Sequence, residues 1–260
     1  MKTLKCILLS SRNAIQVVRD GGCVRLYYSY RRVVKAVFAR EQAEGAGARV
    51  KRSIGTAELR NFDPFLMLDL CTVAKPAGFP KHPHRGFQTV SYLLPDSPGT
   101  ITHADFCGHM GTLKAGDVQW MDSGRGILHS EIPGDLPARG LQLWVNSKAS
   151  EKLSEPNYQE ISSESMPRAE SNGVKAVVIA GQALGVEAKI FTKTPIHYIH
   201  FTMEPGAELI HPLDKTMNAF LFGLSGTARI GDDEKVYMVC ARILDVITSI
   251  HLVYIDLTDI

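Results

Sequence analysis

The sequence predicts an all-β protein of the sandwich or barrel type. Short β-rich runs recur along the chain, turns containing glycine or proline separate them, and no helical periodicity of useful length competes with this pattern. The predicted strands are Val33–Phe38, Phe65–Leu70, Thr89–Leu94, Thr100–Ala104, Val118–Met121, Leu141–Asn146, Val174–Ile179, Lys189–Thr192, His197–Phe201, Ala219–Leu224 and Thr227–Ile230. The turn signals between them are Pro76-Ala77-Gly78, Asp96-Ser97-Pro98-Gly99, Ala115-Gly116-Asp117, Pro205-Gly206 and Ser225-Gly226.

These strands divide into two predicted domains. Residues 31–150 form the first β domain and residues 173–260 the second, and the serine-, glutamate- and proline-rich residues 151–172 are predicted to be an exposed connector. The stretch PGAELIHPLDKTMNAFLFGLSGTARIGD repeats the strand–turn–strand order of PHRGFQTVSYLLPDSPGTITHADF. This weak similarity between the two stretches is consistent with an internal duplication.

Composition excludes several classes of protein. The 260 residues are 45% hydrophobic and 22% charged, which is typical of a globular protein with one large domain or two of ordinary size. A net charge of +2 gives no overall attraction to nucleic acid, and basic residues do not alternate with aromatic ones as a nucleic-acid surface requires. No apolar run approaches the ~20 residues of a membrane span. We therefore predict no direct nucleic-acid contact and no membrane association.

The amino-terminal part of the chain is strongly basic. Residues 1–38 carry eight Lys or Arg and a single acidic residue, Asp20, whereas the remaining 21 basic and 26 acidic residues give a net charge of −5. Residues 1–30 are predicted to be a disordered basic extension. Their arginines and serines and their near lack of acidic residues also suit a mitochondrial presequence, and a wrongly chosen start codon is a third interpretation.

The cysteines argue against a disulfide framework. They are odd in number, widely spaced and without CxxC spacing, which favours a reducing compartment. The five are Cys6, Cys23, Cys71, Cys107 and Cys240.

Two short motifs predict a metal site. His82-Pro83-His84 and His129-Ser130-Glu131 each place two side chains at positions i and i+2, which leave the same face of a strand. Two such strands side by side would direct three imidazoles and one carboxylate to one point, a set that suits a first-row divalent metal with two positions left open. The alternative is that these histidines are surface residues at a strand end.

A longer resemblance bears on that choice. The segments "HPHRGF" and "GRGILHSE", together with "AREQAEGAGARVKRSIG" and "GLQLWVN", resemble the pirin family of two-domain cupins over roughly Val33 to Asp233. The resemblance implies two tandem cupin (jelly-roll-like) β-barrels with one iron, Fe²⁺, in the amino-terminal barrel; other first-row divalent metals also suit the ligands. The family's ligands correspond to His82, His84, His129 and Glu131. As in the family, no metal site is expected in the second barrel, where His197 and His200 would face opposite sides of a strand.

The sequence departs from the family pattern at two places. A generic cupin has a glutamate ligand a few residues after the first histidine pair, and Gln88 stands there; pirins take their carboxylate from the second motif, so Glu131 suffices. Beyond about Glu234 the sequence KVYMVCARILDVITSIHLVYIDLTDI no longer follows the family. The second barrel is therefore expected to be incomplete, with exposed strand edges, as an alternative transcript or a faulty gene model would produce.

The resemblance implies two functions. The first is a quercetin (flavonol) 2,3-dioxygenase that uses a mononuclear non-haem metal and O₂, with Glu131 accepting a proton from the flavonol. The second is a nuclear, iron-dependent transcriptional co-regulator that acts through a transcription-factor partner, because loss of one electron at the metal changes the local charge. Nucleus and cytoplasm are the expected locations.

Other polar residues near the motifs have open assignments. His103, Cys107 and His109 could support the metal site, or they could lie at a polar strand edge. Arg125 could orient an anionic substrate, or it could form a surface ion pair.

Overall fold

A computed structural model describes residues 3–12, 32–231, 234–236, 240–244 and 249–254. In these residues it confirms the all-β prediction: the helices are two 3-10 turns, Ala149–Glu151 and Ser163–Ser165. Within the same residues, no helix has both the length and the apolar character needed to cross a bilayer. The strands are β1 (Leu4–Arg12), β2 (Val33–Phe38), β3 (Arg40–Glu44), β4 (Ala48–Ile54), β5 (Phe65–Val73), β6 (Phe79–His84), β7 (Phe87–Leu93), β8 (Ile101–Asp105), β9 (Met110–Leu113), β10 (Val118–Asp122), β11 (Ile127–Pro133), β12 (Ala138–Asn146), β13 (Asn157–Ile161), β14 (Arg168–Ser171), β15 (Val174–Ala180), β16 (Gln182–Ala183), β17 (Val186–Glu187), β18 (Ile196–Met203), β19 (Glu208–Pro212), β20 (Met217–Ser225), β21 (Ala228–Ile230), β22 (Glu234–Val236), β23 (Cys240–Leu244) and β24 (Ser249–Tyr254).

The chain forms two compact units. The central unit comprises Val37–Met166 and Lys189–Thr194. Its larger sheet has the order β13-β10-β7-β12-β5-β4-β3, and its smaller sheet has the order β6-β11-β8-β9. Alternating burial along β4 and β11 shows the period of two expected for strands with one face in a core. One core cluster is formed by Ala48, Val73, Leu93, Ile101, Leu113 and Ala138.

The terminal unit comprises the described residues of Met1–Ala36, Pro167–Ala188 and Pro195–Ile260. Its larger sheet has the order β14-β15-β18-β1-β20-β23-β2, and its smaller sheet has the order β19-β24-β21-β22. A single core cluster contains buried side chains of both sheets, including Leu8, Phe201, Leu209 and Ile230. Among the described strands the pairing leaves open sheet edges in both units, so each is a two-sheet, jelly-roll-like arrangement and not a closed barrel.

The predicted disordered extension is wrong for Leu4–Arg12, which form β1; residues 13–30 lie outside the described residues. Strand β1 pairs with β18 on one side and with β20 on the other, both antiparallel. Leu4, Cys6 and Leu8 project from one face into the core cluster of the terminal unit, while Ile7 and Leu9 on the opposite face are fully buried too. A strand buried on both faces is apolar without alternation, so its sequence resembles an interrupted apolar run.

The predicted connector, residues 151–172, contains strands of both units. Its β13 pairs with β10 in the central unit, and its β14 pairs with β15 in the terminal unit. The altered sequence after Glu234 also supplies strands, because β24 pairs with both β19 and β21. The predicted boundaries at residues 150 and 173 therefore differ from the observed ones.

The predicted strand Lys189–Thr192 is wrong, since Lys189 and Ile190 form a bend and Phe191 and Thr192 have no regular secondary structure. Instead of a neighbouring strand, the backbone of Phe191 contacts a side-chain amide. The Phe191 amide donates to Gln159 Oε1 at 2.9 Å, and Gln159 Nε2 donates to the Phe191 carbonyl at 2.8 Å. Because the Gln159 side chain pairs with both the N–H and the carbonyl group of Phe191, neither group is available for hydrogen bonds to a neighbouring strand.

The change Leu8→Ala should lower the free energy of unfolding by about 2–5 kcal/mol, because it leaves a cavity in the core of the terminal unit. Chemical denaturation measures the effect. The matched control is Ile210→Ala, which removes the same number of carbon atoms from a side chain that is 45% exposed and should cost less than about 1 kcal/mol. Equal costs would contradict the position of β1.

Candidate metal centre

Three histidines converge because of the register between β6 and β11. His82 lies directly opposite His129 in this antiparallel pair, and His84 lies opposite Ile127. Side chains at directly paired positions leave the same face of a sheet, as do side chains two residues apart. The three imidazole rings therefore meet on one face, with centroid separations of 4.5, 4.8 and 4.9 Å.

The ligand atoms of these rings are spaced as metal ligands are. One nitrogen of each of His82, His84 and His129 lies within 4.8 Å of the other two, and the Nε2 atoms of His82 and His129 are 3.1 Å apart. Two metal–nitrogen bonds of about 2.1 Å at a right angle would place their nitrogens about 3 Å apart. His82 Nδ1 lies 2.8 Å from the carbonyl of Pro80, which fixes Nδ1 as the protonated atom and leaves the Nε2 lone pair for a ligand.

Burial keeps two of these rings neutral. It lowers the pKa of His84 to about 4 and that of His129 to about 3, with His82 adding a smaller effect. Both rings are thus uncharged near neutral pH and have a lone pair available. His84 Nε2 is buried without a hydrogen-bond partner, which is costly unless a ligand satisfies it. This donor set fits a first-row divalent metal.

Glu131, the fourth predicted ligand, is held away from this group. Its Oε1 accepts a hydrogen bond from Ser91 Oγ at 2.8 Å, and its Oε2 accepts one from Gln142 Nε2 at 3.1 Å. It is not among the residues whose ligand atoms all lie within 4.8 Å of one another, and a β-bulge separates it from His129. A bulge re-aims the side chain that follows it. Burial raises the pKa of Glu131, and its assignment as a ligand stays a prediction.

Gln88, at the position where a generic cupin has its glutamate, has a structural contact. Its side-chain oxygen accepts a hydrogen bond from Trp120 Nε1 at 2.6 Å, and both residues are buried. An uncharged amide can occupy this apolar position without the desolvation penalty of a carboxylate.

A cavity of about 540 Å³ adjoins the histidines. His82, His84 and Glu131 line it, and apolar side chains such as Tyr92 and Trp144 form much of the remaining wall. This volume lies in the range of sites that bind small organic molecules.

The cavity wall also contains an ion pair that sequence reasoning missed. Arg52 donates from Nε to Asp69 Oδ1 at 2.8 Å and from Nη2 to Asp69 Oδ2 at 2.6 Å. Arg52 Nη2 also donates to Glu44 Oε2 at 2.6 Å. Arg52 and Asp69 are opposite each other on β4 and β5, and only the register between the two strands could have revealed the pair.

The structure places differently the four residues for which the sequence allowed either a role at the metal site or a surface position. Arg125 forms a 2.7 Å ion pair with Glu155 in which both side chains are exposed, as the surface interpretation predicts. Cys107 is exposed. His103 and His109 form a separate group with Glu160; no signal in the sequence connected Glu160 with them.

Comparisons with known proteins reveal relatives by sequence and by fold. A profile of the family described as Pirin matches residues 47–145. The protein named Pirin from Homo sapiens is 51% identical over 207 residues, which cover 79% of this chain and 71% of that protein. The crystal structure of GK1651 from Geobacillus kaustophilus has a TM-score of 0.76 at 27% identity, covering 88% of this chain and 97% of that one. A structure of quercetin 2,3-dioxygenase from Acinetobacter baumannii has a TM-score of 0.75 at 24% identity, covering 87% of this chain and 88% of that one.

His129→Ala should reduce the bound metal to less than about a tenth of an equivalent, because it removes one of three converging nitrogens. Glu131→Gln should lower metal occupancy as well, since it removes a negative charge from the cavity that His82 and His84 line. Elemental analysis of the purified variants measures the effect, and His200→Ala in the terminal unit is the control. Wild-type metal content in His129→Ala would contradict the site.

The metal-free protein should lose stability as the pH falls below 6.5. Burial lowers the pKa of folded His84 to about 4, whereas its unfolded value is near 6.5. The unfolded chain therefore binds a proton that the folded chain does not, which costs roughly 2 kcal/mol at pH 5. Urea unfolding at pH 7 and pH 5 should show that His84→Gln loses about this much less stability than the wild type. An identical pH dependence of stability in the wild type and His84→Gln would refute a neutral, buried His84 with a lowered pKa.

Proposed function

This chain belongs to the pirin family, and we propose that it is a metal-dependent dioxygenase that opens the ring of a flavonol such as quercetin. One observation carries the proposal: His82 and His84 of the three-histidine group line a cavity of about 540 Å³, and the buried carboxylate of Glu131 lines it too. A metal, a proton acceptor and an apolar pocket are what flavonol oxidation by dioxygen requires.

His82, His84 and His129 would hold the metal, for which we propose Fe²⁺. Such an ion would act as a Lewis acid on the 3-hydroxyl group of the flavonol and would supply the site at which dioxygen reacts. Neutral imidazoles leave the ion its positive charge, which favours an anionic substrate oxygen.

Glu131 is proposed to accept the proton of the 3-hydroxyl group on its carboxylate. Burial raises the pKa of Glu131, which makes it a stronger base than an exposed glutamate. Hydrogen bonds from Ser91 and Gln142 fix both of its oxygens, so that the acceptor is already oriented when the substrate arrives.

The apolar part of the cavity would bind the aromatic rings of the substrate. Tyr92, Leu141 and Trp144 lie in this wall, and Trp144 packs edge-on against His84 with centroids 5.3 Å apart. Apolar walls exclude water from the reacting group. The quercetin 2,3-dioxygenase of Acinetobacter baumannii supports the fold of this chain at 24% identity, while the proposed activity rests on the site.

A co-regulator role in the nucleus stays a second prediction. It needs the same histidines but requires a partner-binding surface that changes with the oxidation state of the metal. It is a distinct outcome of the following experiment.

The wild-type protein, loaded anaerobically with Fe²⁺ and then given quercetin and air, should consume the flavonol, as its absorbance measures. His84→Ala should lower the rate at least 100-fold because it removes a proposed ligand that lines the cavity. His200→Ala in the terminal unit is the matched control and should retain the rate. Absence of turnover in the iron-loaded wild type would refute the dioxygenase. Binding of a transcription-factor partner that changes with the oxidation state of the iron would then favour the co-regulator.

A further inference from the structure

A second group of potential ligands lies apart from the three histidines at the cavity. His103 is on β8, His109 is in the turn before β9, and Glu160 is on β13, so that both sheets of the central unit contribute. One ligand atom of each lies within 4.8 Å of the others. We propose that His103, His109 and Glu160 form a second cation site, which binds a divalent ion of the Zn²⁺ class.

The distances bring the lone pairs of three different side chains together. His103 Nε2 is 2.9 Å from Glu160 Oε1, and His109 Nε2 is 3.8 Å from the same oxygen. Two imidazoles and one carboxylate are a known ligand set for zinc, and they leave a fourth position for water.

His103 has an unsatisfied buried atom at the centre of the group. The side chain is 2% exposed, and its Nε2 makes no hydrogen bond although Glu160 is close. The direction of the ring nitrogen therefore does not suit a hydrogen bond to this carboxylate. A cation between the two groups would satisfy both, because a metal accepts the nitrogen lone pair and attracts the carboxylate.

Gly111 keeps space open beside these atoms. It lies opposite His103 in the pairing of β8 with β9. A Cβ atom at Gly111 would stand 2.5 Å from His103 Nε2 and 3.5 Å from Glu160 Oε2. Any larger residue would thus fill the place next to both ligand atoms.

Neighbouring side chains hold the proposed ligands in position. Gln119 Nε2 donates to Glu160 Oε1 at 2.7 Å, and Tyr158 stacks on the His109 ring with centroids 4.1 Å apart and planes 15° apart. Such contacts orient metal ligands before the ion arrives. The His109 and Glu160 side chains are 38% and 35% exposed, so an ion can reach the group from solvent.

This site shares no ligand with the first site, although the two are neighbours. His103 lies directly opposite Glu131 on β8 and β11. The bound ions must therefore be counted separately, with variants that disable each site alone.

The test is equilibrium dialysis of the chelator-treated protein against Zn²⁺, followed by elemental analysis. The wild type should bind two equivalents, and His84→Ala and His109→Ala should each bind one. The double variant of His84 and His109 should bind none. Glu160→Gln, which preserves side-chain size, should also bind one equivalent.

Gly111→Ala is the decisive variant, because it removes no ligand side chain but adds a methyl group 2.5 Å from His103 Nε2, so that the methyl group and the imidazole compete for the space beside Glu160. It should lose the second equivalent and keep the first, and His200→Ala should keep both. Circular dichroism verifies that each variant is folded. A wild type that binds one equivalent, and loses it in His84→Ala but keeps it in His109→Ala, would overturn the proposal. A second equivalent that persists in both His109→Ala and Gly111→Ala would overturn it as well, since that ion would lie elsewhere.

Discussion

The position of His82 directly opposite His129 is the constraint on which the candidate site depends. Because strand side chains alternate with a period of two, a slip of one residue between β6 and β11 would move one histidine to the other face of the sheet. Glu131 lines the cavity beyond the β-bulge that follows His129, and the separate register between β11 and β8 places His103 directly opposite Glu131. Strand β11 thus positions His129 opposite His82 of β6 on one side and Glu131 opposite His103 of β8 on the other.

Local pattern was sufficient for the fold class and, in the central unit, for β5, β7, β8, β10 and β12. In the larger sheet of the terminal unit, Val33–Phe38 was predicted with the bounds it has in the structure. Leu4–Arg12 was not predicted, because a strand buried on both faces lacks alternation and its partners β18 and β20 are far away in the chain. Lys189–Thr192 has strand-like composition, but the Gln159 side chain takes the place of a strand partner.

The site was predictable where its residues are close in sequence. The i, i+2 spacing indicated that His82 and His84 share one face of a strand and that His129 and Glu131 share one face of another, and the resemblance to pirins supported a common site for the two pairs. Ser91 and Gln142, which hold Glu131, come from β7 and β12, and Glu160 reaches His103 from β13. No short motif contains these pairs, because they result from the packing of one sheet on the other.

The central place of β1 in its sheet has a consequence for biosynthesis. Its partners in β18 follow it by about 190 residues, which a ribosome needs roughly ten to forty seconds to add. During that interval β1 has made neither of its ladders, whereas the central unit can already form from residues translated in between. Until β18 and β20 are synthesised, the apolar β1 segment has unpaired backbone groups and can pair with another nascent chain. The yield of folded protein on overexpression should therefore depend on chaperones that bind this segment.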